Sequence, residues 1–361
     1  MSWSVYFWTR AGQPVHLPAN LHFLPRRYSW TAVGGPEQAE VAVAGPPMAL
    51  WNLLGWLRYP VVVHNGLGEP VWWGYVAEVT VAVGGVGLGV SLDSMYNRVA
   101  VAFSYVEPGS QTVGTRETTD WSQDDDSAAE YGMKELLASV DGATVAQAEN
   151  ARDVLLAQHR LPVPVVEMAD GGELEARLLC RGWWETLRWR YYANGATNSV
   201  ETTAQVAAIV DAVGQFFTGV DVVDASGIYG SEYRSGDNTA LDEVAALLRL
   251  GTGDGRRLLA TVTVGRLLRV EAEPQAGSLE LFLAGDGLVV DLLGRPLAPG
   301  LVPVGRWVGL RDVLPGGVPA YLGSPSPFFV ERGEYAVERG RLSLTPRGLP
   351  SPWEVVRLVE G

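Results

Sequence analysis

Glycine and proline cut the apolar runs of this chain short. The longest, Val41 to Leu54, is interrupted by Gly45, Pro46 and Pro47. Proline removes a backbone donor and glycine carries a high conformational entropy, so neither readily continues a helix or a central strand. With 43 glycines and 22 prolines in 361 residues, the expected unit is a short strand bounded by turns. No run approaches the roughly 20 apolar residues needed to cross a bilayer. Met1 to Gln13 lacks the basic-then-apolar order of a secretion signal. The expectation is a soluble chain made in a cytoplasm, which reaches any outside location as part of something larger. The length suggests two or three domains at roughly 150 residues each. Hydrophobic residues make up 47% of the chain, which supports packed cores over disorder.

Residues 1–110 read as β. Tyr59 to Val63 ends at the turn His64-Asn65-Gly66, and Val71 to Val83 returns to a second turn at Gly84-Gly85. From Arg98 to Val106 the residues alternate. Val99, Val101, Phe103 and Tyr105 share one face; Arg98, Ala100, Ala102 and Ser104 share the other, the pattern of a half-buried strand. Such strands in sequence form a meander, a small sandwich or barrel. The polar stretch 111–124 marks a boundary. A helix is expected where Ala129, Gly132, Met133, Leu136, Leu137 and Val140 recur at helical spacing. A second follows the capping box Thr144/Gln147, ahead of Ala148, Ala151 and Leu155, and stops at Pro162 and Pro164. Strands are expected at Leu174–Cys180 and Trp183–Tyr192. A further capping box, Thr202/Gln205, opens a helix lined by Val206, Ile209, Val210, Val213 and Phe217. Another helix, about Thr239 to Leu250, buries Leu241, Val244, Ala245 and Leu248 and ends at Gly251. Leu258–Val264 and Leu267–Glu271 form a hairpin, and short strands follow from Pro274 onward. The fold class is therefore α+β, mainly β.

The charge-bearing residues exclude more than they assign. The 27 basic and 41 acidic residues leave a net charge of -14, against a broad nucleic-acid grip. Only Lys134 among the basic residues is lysine; arginine suits forked interface contacts, and a GC-rich genome explains the bias equally well. The single cysteine, Cys180, rules out an intramolecular disulfide and any cysteine-built zinc site, and its apolar setting reads as an inert packed thiol. His16, His22, His64 and His159 show no metal-binding spacing, and no G-x-S-x-G elbow accompanies them. Asp124-Asp125-Asp126 has the ligand chemistry for a hard cation, but it directly precedes a helix, where capping is the stronger reading. The glycine runs 84–89 and 251–255 lack the context of a phosphate-binding loop and read as turns. No cofactor, metal or catalytic residue is expected, and the chain is read as not an enzyme.

Trp72, Trp73, Trp183, Trp184 and Trp189 stand out among the 13 tryptophans. They have the surface to stack on sugars, and with the acids they are raw material for a carbohydrate-binding or glycoside-cleaving module. Adjacent tryptophans on a strand point to opposite faces, so one of each pair belongs to a core and the other to an interface or solvent. Anchoring of cores and subunit contacts is the preferred reading.

The segment Asp126-Ser127, Tyr131-Gly132 and Glu135 makes a D-S-x-x-x-Y-G-x-x-E pattern, preceded by Thr119-Asp120-Trp121-Ser122. It resembles the bacteriophage tail hub proteins, the baseplate hub or tail-tip proteins that include late control proteins. Val71-Trp72-Trp73-Gly74-Tyr75-Val76, Asn97-Arg98-Val99 and the alanine- and leucine-rich stretch Ala146 to Leu156 before Pro162 and Pro164 are similar to that family's first domain and helix. The resemblance extends over residues 1–195. It implies a structural protein of the virion tail, assembled in the host cytoplasm as a trimeric ring. Each subunit would contribute two tube-like β-barrel domains with a helical insertion, so that three subunits imitate a sixfold tube. Its division would be 1–110 for a first barrel, 111–195 for the helical segment and strands of a second, 196–275 for an α/β section, and 276–361 for a β-rich section completing a discontinuous barrel. Partners implied are further copies of the chain, the tail tube or distal tail protein, fibre, spike or tip proteins, and the tape-measure protein, with DNA only in transit. An acidic channel would not retain phosphates. Another tail component, such as a distal tail protein, is the neighbouring alternative.

Overall fold

The computed structural model describes residues 3–83, 86–105, 114, 116–168, 174–275, 279–283, 289–311 and 327–347. It is α+β and mainly β. The N-terminal third supplies β1 (Ser4–Phe7), β2 (His22–Thr31), β3 (Val33–Ala44), the short helix α1 (Pro47–Trp51), β4 (Pro60–His64), β5 (Pro70–Val83), β6 (Val86–Ser91) and β7 (Arg98–Ser104). Next come β8 (Arg116–Thr118), β9 (Ser122–Gln123), α2 (Asp125–Tyr131), β10 (Glu135–Asp141), α3 (Val145–His159), β11 (Val163–Met168) and β12 (Glu175–Arg181). A 3-10 segment, Trp183–Trp189, leads to β13 (Tyr191–Asn194), β14 (Ser199–Glu201), α4 (Thr202–Val213), β15 (Gly219–Val222), β16 (Tyr229–Ser231), β17 (Arg234–Thr239) and α5 (Ala240–Arg249). The chain continues as β18 (Leu258–Val262), β19 (Leu267–Ala272), β20 (Leu279–Leu283), β21 (Val289–Val290), β22 (Trp307–Arg311), β23 (Phe328–Ala336) and β24 (Arg341–Pro346).

The main sheet runs β1-β4-β5-β12-β3-β2-β23-β22-β20-β21, so strands from both ends of the sequence lie side by side. β12 is inserted between β5 and β3, antiparallel to both. Its burial alternates: Ala176, Leu178 and Cys180 are buried, while the residues between are half-buried. Val41, Val43, Val61, Val63, Trp72, Val76 and Val79 join them in one core with α4 and α5. The insertion needs close backbone approach. A Cβ on Gly74 would meet the Arg181 carbonyl oxygen at 2.1 Å. A second sheet, β10-β7-β8 with β9 also on β7, stands apart; β10 pairs parallel to β7 from Glu135↔Arg98 to Asp141↔Ser104. Helix α3 covers it through Ala148 on Val101 and Phe103.

No sheet closes on itself among the described residues. The expected tube-like barrel is not found among the described residues, where β1, β11 and β24 each pair on one side only. Several local expectations also change. β7 is buried on both faces, because the face read as polar carries Ala100 and Ala102, which bury as readily as valine. The helix expected through Val140 stops at Tyr131. Gly132, at φ +89°, turns the chain, and Leu136 to Val140 enter the ladder with β7 instead. Trp183 to Trp189 is a 3-10 segment rather than strand; Trp183, Thr186, Leu187 and Trp189 bury at a helical spacing that the strand reading overlooked. The cap of α4 is Glu201, not Thr202, and its carboxylate accepts from the Ala204 N–H. In α5 the buried face takes Leu247, while Ala245 is half-buried. Pro164 lies inside β11, a one-sided strand where its missing N–H is tolerated. The polar stretch before α2 contains β8 and β9. The turn at Gly84-Gly85, Val106 and residues 111–113 fall outside the described residues.

Replacing Gly74 by Ala is expected to lower stability by about 2 kcal/mol, since the new methyl forces β5 away from β12. Chemical denaturation of the variant against the parent measures it.

Candidate functional site

The residues of the D-S-x-x-x-Y-G-x-x-E pattern gather at the joint between the two sheets. Asp124 caps α2, accepting from the Ser127 N–H at 2.8 Å and from Arg160 at 2.7 Å. Those two bonds, the Ser127 N–H first, hold its carboxyl below the usual range. Asp126 sits exposed in the first turn, where it offsets the helix dipole. Ser127 is buried and donates to the Arg160 carbonyl at 2.5 Å, tying α2 to the end of α3. Tyr131 places its ring 4.7 Å from the Arg10 guanidinium, which also pairs with Glu130 at 2.8 Å. Arg58 donates to the Glu130 carbonyl at 3.1 Å. Gly132 lies against Phe216, whose ring would be 2.3 Å from an added Cβ.

Asn97, fully buried, holds the centre. Its amide nitrogen donates to the Gly132 carbonyl at 2.8 Å and to Ser127 Oγ at 3.3 Å, and its oxygen accepts from the Lys134 N–H at 2.7 Å. Gln215, just beyond α4, clamps Met133 the same way, accepting from its N–H at 2.8 Å and donating to its carbonyl at 2.6 Å. Glu135 is buried between Arg98 at 2.6 Å and Arg190 at 3.0 Å, and accepts from the Tyr191 N–H at 2.7 Å. Every member of the pattern except Asp126 thus contacts a segment distant in sequence. In the sequence Asn97 is marked only by the family resemblance; Arg10, Arg58, Arg160 and Gln215 carry no local signal, because their role depends on long-range packing.

Lys134, the one lysine, is buried beside this joint. Its ammonium donates to the carbonyls of Leu92 at 2.6 Å and Asp93 at 2.7 Å and lies 5.0 Å and 5.4 Å from the rings of Tyr96 and Trp189. It borders a cavity of about 260 Å³ that also holds the pairs Asp93–Arg181 and Glu185–Arg188. Burial lowers its pKa from 10.5 to about 8, with Asp93 and Glu185 opposing the fall.

The five tryptophans separate into two settings. Trp72, Trp183 and Trp189 are buried; Trp183 and Trp189 pack around Tyr75 and Phe216. Trp73 and Trp184 are half-buried. Trp72 and Trp183 therefore present no stacking surface for a sugar. Cys180 is buried and burial raises its thiol pKa, so it lacks thiolate character at neutral pH. No group of three or more His, Cys, Asp or Glu side chains suited to a metal occurs among the described residues. His64 and His159 contact backbone carbonyls of Gly68 and Ser94, while His16 and His22 are exposed. No described helix is long and apolar enough to cross a membrane.

No protein-family model and no curated protein matches the chain. Solved structures similar to it include a 43 kDa tail protein of prophage MuSo2 from Shewanella oneidensis, at TM-score 0.46 and 11% identity over 95% of this chain and 97% of that one. A tail protein from Neisseria meningitidis MC58 follows at TM-score 0.42 and 10% identity, covering 96% and 98%. Prophage tail protein gp18 from Listeria monocytogenes EGD-e has TM-score 0.41 and 9% identity, covering 99% and 98%.

Asn97→Ala is expected to cost about 3 kcal/mol, because it strands the Gly132 carbonyl and the Lys134 N–H without their partner; equilibrium unfolding measures it. Lys134 gives a pH signature. Its folded pKa lies below its unfolded value, so between about pH 8 and 10.5 the unfolded chain binds the extra proton and stability rises with pH. Melting curves of the parent should show this rise relative to Lys134→Met, which lacks the amine.

Proposed function

We propose that the chain is a structural, non-enzymatic component of a bacteriophage tail, and within the tail the hub that joins tube to tip. The observation that carries this reading is the placement of the hub-like pattern. Tyr131 and Gly132 meet Arg10 and Phe216 of the main core, Glu135 reaches Arg190 and Tyr191, and Ser127 ties α2 to the end of α3, so the resemblance falls on residues with an architectural task. A protein whose working part is its shape would use its most distinctive residues in this way.

The open main sheet supports the same reading. One-sided strands are a liability in a lone chain and an asset in a ring, where a neighbour supplies the missing partner. On the β6–β11 ribbon, Leu88 and Val166 sit opposite each other and are both exposed, with Met168 beyond them. In this proposal three copies close tube-like barrels between them. The division into segments 1–110, 111–195, 196–275 and 276–361 then describes how one chain is shared between two barrels. The ring meets the tail tube or distal tail protein on one side and fibre, spike or tip proteins on the other, with the tape-measure protein and then DNA passing through. The net charge of -14 keeps phosphate from lodging in the channel.

The mass of the purified protein, measured across a concentration series, tests the hub assignment. Three copies are expected. A monomer at every concentration overturns it, and a ring of six assigns the chain to a distal tail component instead.

A further inference from the structure

A cleft of about 940 Å³ is walled by the end of β2, the start of β5, the β18–β19 hairpin and the segment 291–306. Trp30 and Trp73 line it, edge to face with centroids 4.9 Å apart, and both are half-buried. Their indole N–H groups are already used. Trp30 donates to the Val71 carbonyl at 2.9 Å and Trp73 to the Val262 carbonyl at 2.8 Å. The rings are thereby fixed in orientation and have only carbon surface to offer a ligand.

Charge in the cleft decides what that ligand is. Glu69, Glu271 and Asp291 are balanced by Arg269, Arg295 and Arg306. Arg269 pairs with Glu271 at 3.1 Å and Arg295 with Asp291 at 2.7 Å, while Glu69 accepts from the Asn65 amide at 2.9 Å. These pairs keep lone pairs and N–H groups that can bond hydroxyls, and the lining carries no excess charge for an ionic ligand to neutralise. A rigid corner of two perpendicular aromatic rings with paired polar groups around it suits a ring with one apolar face and many hydroxyls.

We propose that this cleft binds a neutral oligosaccharide, seated in the corner made by Trp30 and Trp73 and hydrogen-bonded by the ion pairs at its edge. The site goes beyond the hub reading and does not depend on it.

The full chain is titrated with maltohexaose, cellohexaose and chitohexaose, with polysialic acid and an acidic peptide as charged controls, following tryptophan fluorescence and calorimetry. Saturable binding of at least one neutral sugar is expected, at least tenfold weaker in Trp73→Leu. Because Trp73 also braces β18, Arg295→Ala and Glu271→Ala, both at the cleft edge, provide fold-preserving variants expected to weaken binding severalfold. Absence of binding to all three sugars, preference for a charged control, or affinity unchanged in all three variants overturns the proposal. The oligomeric mass of these variants should equal that of the parent, so loss of sugar binding and failure of the tail reading register separately.

Discussion

The buried amide of Asn97 is the interaction on which the path of the chain through the joint, from β7 by way of α2 into β10, depends. Its three side-chain hydrogen bonds reach Ser127, Gly132 and Lys134, and its backbone bonds Lys134 and Asp124 as well. A buried carboxamide this fully satisfied is stable only when every partner is in place. It therefore specifies the end of α2, the turn at Gly132 and the entry of β10 at once. Around it, Gln215 and Glu135 bring the α4 end and the β13 start to the same ten residues. Arg10 and Arg58 bring in the first strands of the main sheet.

That joint gives the proposed role its physical basis. A ring subunit has to present sheet edges at a fixed angle to its neighbours, and a hinge between the sheets would spread that angle. Here the joint is made by buried polar groups and packed rings rather than by a linker. The inserted β12 extends the same logic, since it is held on both flanks by strands distant in sequence, and β7 is held on one flank by β10 and on the other by β8. The Trp30–Trp73 cleft shares no lining residue with the joint.

Much of the local structure was legible in the sequence because it is encoded locally. The Thr144/Gln147 capping box, the helix beginning near Thr239 with its stop at Gly251, the turn after His64 and the β18–β19 hairpin need only neighbouring residues. What escaped was set by distant partners. Leu136 to Val140 carries a spacing that fits a helix, but β7 offers a ladder and Gly132 breaks the helical path. Trp183 to Trp189 reads as a strand by its aromatics, yet Gly182 lies so close to the Pro36 carbonyl that the chain turns off the sheet there. Likewise, the pairing of Trp30 with Trp73 and the convergence of Arg10, Arg58, Arg160 and Gln215 have no short-range signature. The D-S-x-x-x-Y-G-x-x-E pattern was visible, but its physical meaning as a joint emerges only once its partners are located.

The claim that open sheets are completed by neighbouring copies is tested most directly by an electron-microscopy reconstruction of the assembled tail end. The account predicts a threefold ring of this chain in which the free edges of the main sheet pair with strands of the adjacent copies around a central channel. A ring in which those edges stay solvent-exposed, or a tail end without this chain, would contradict it.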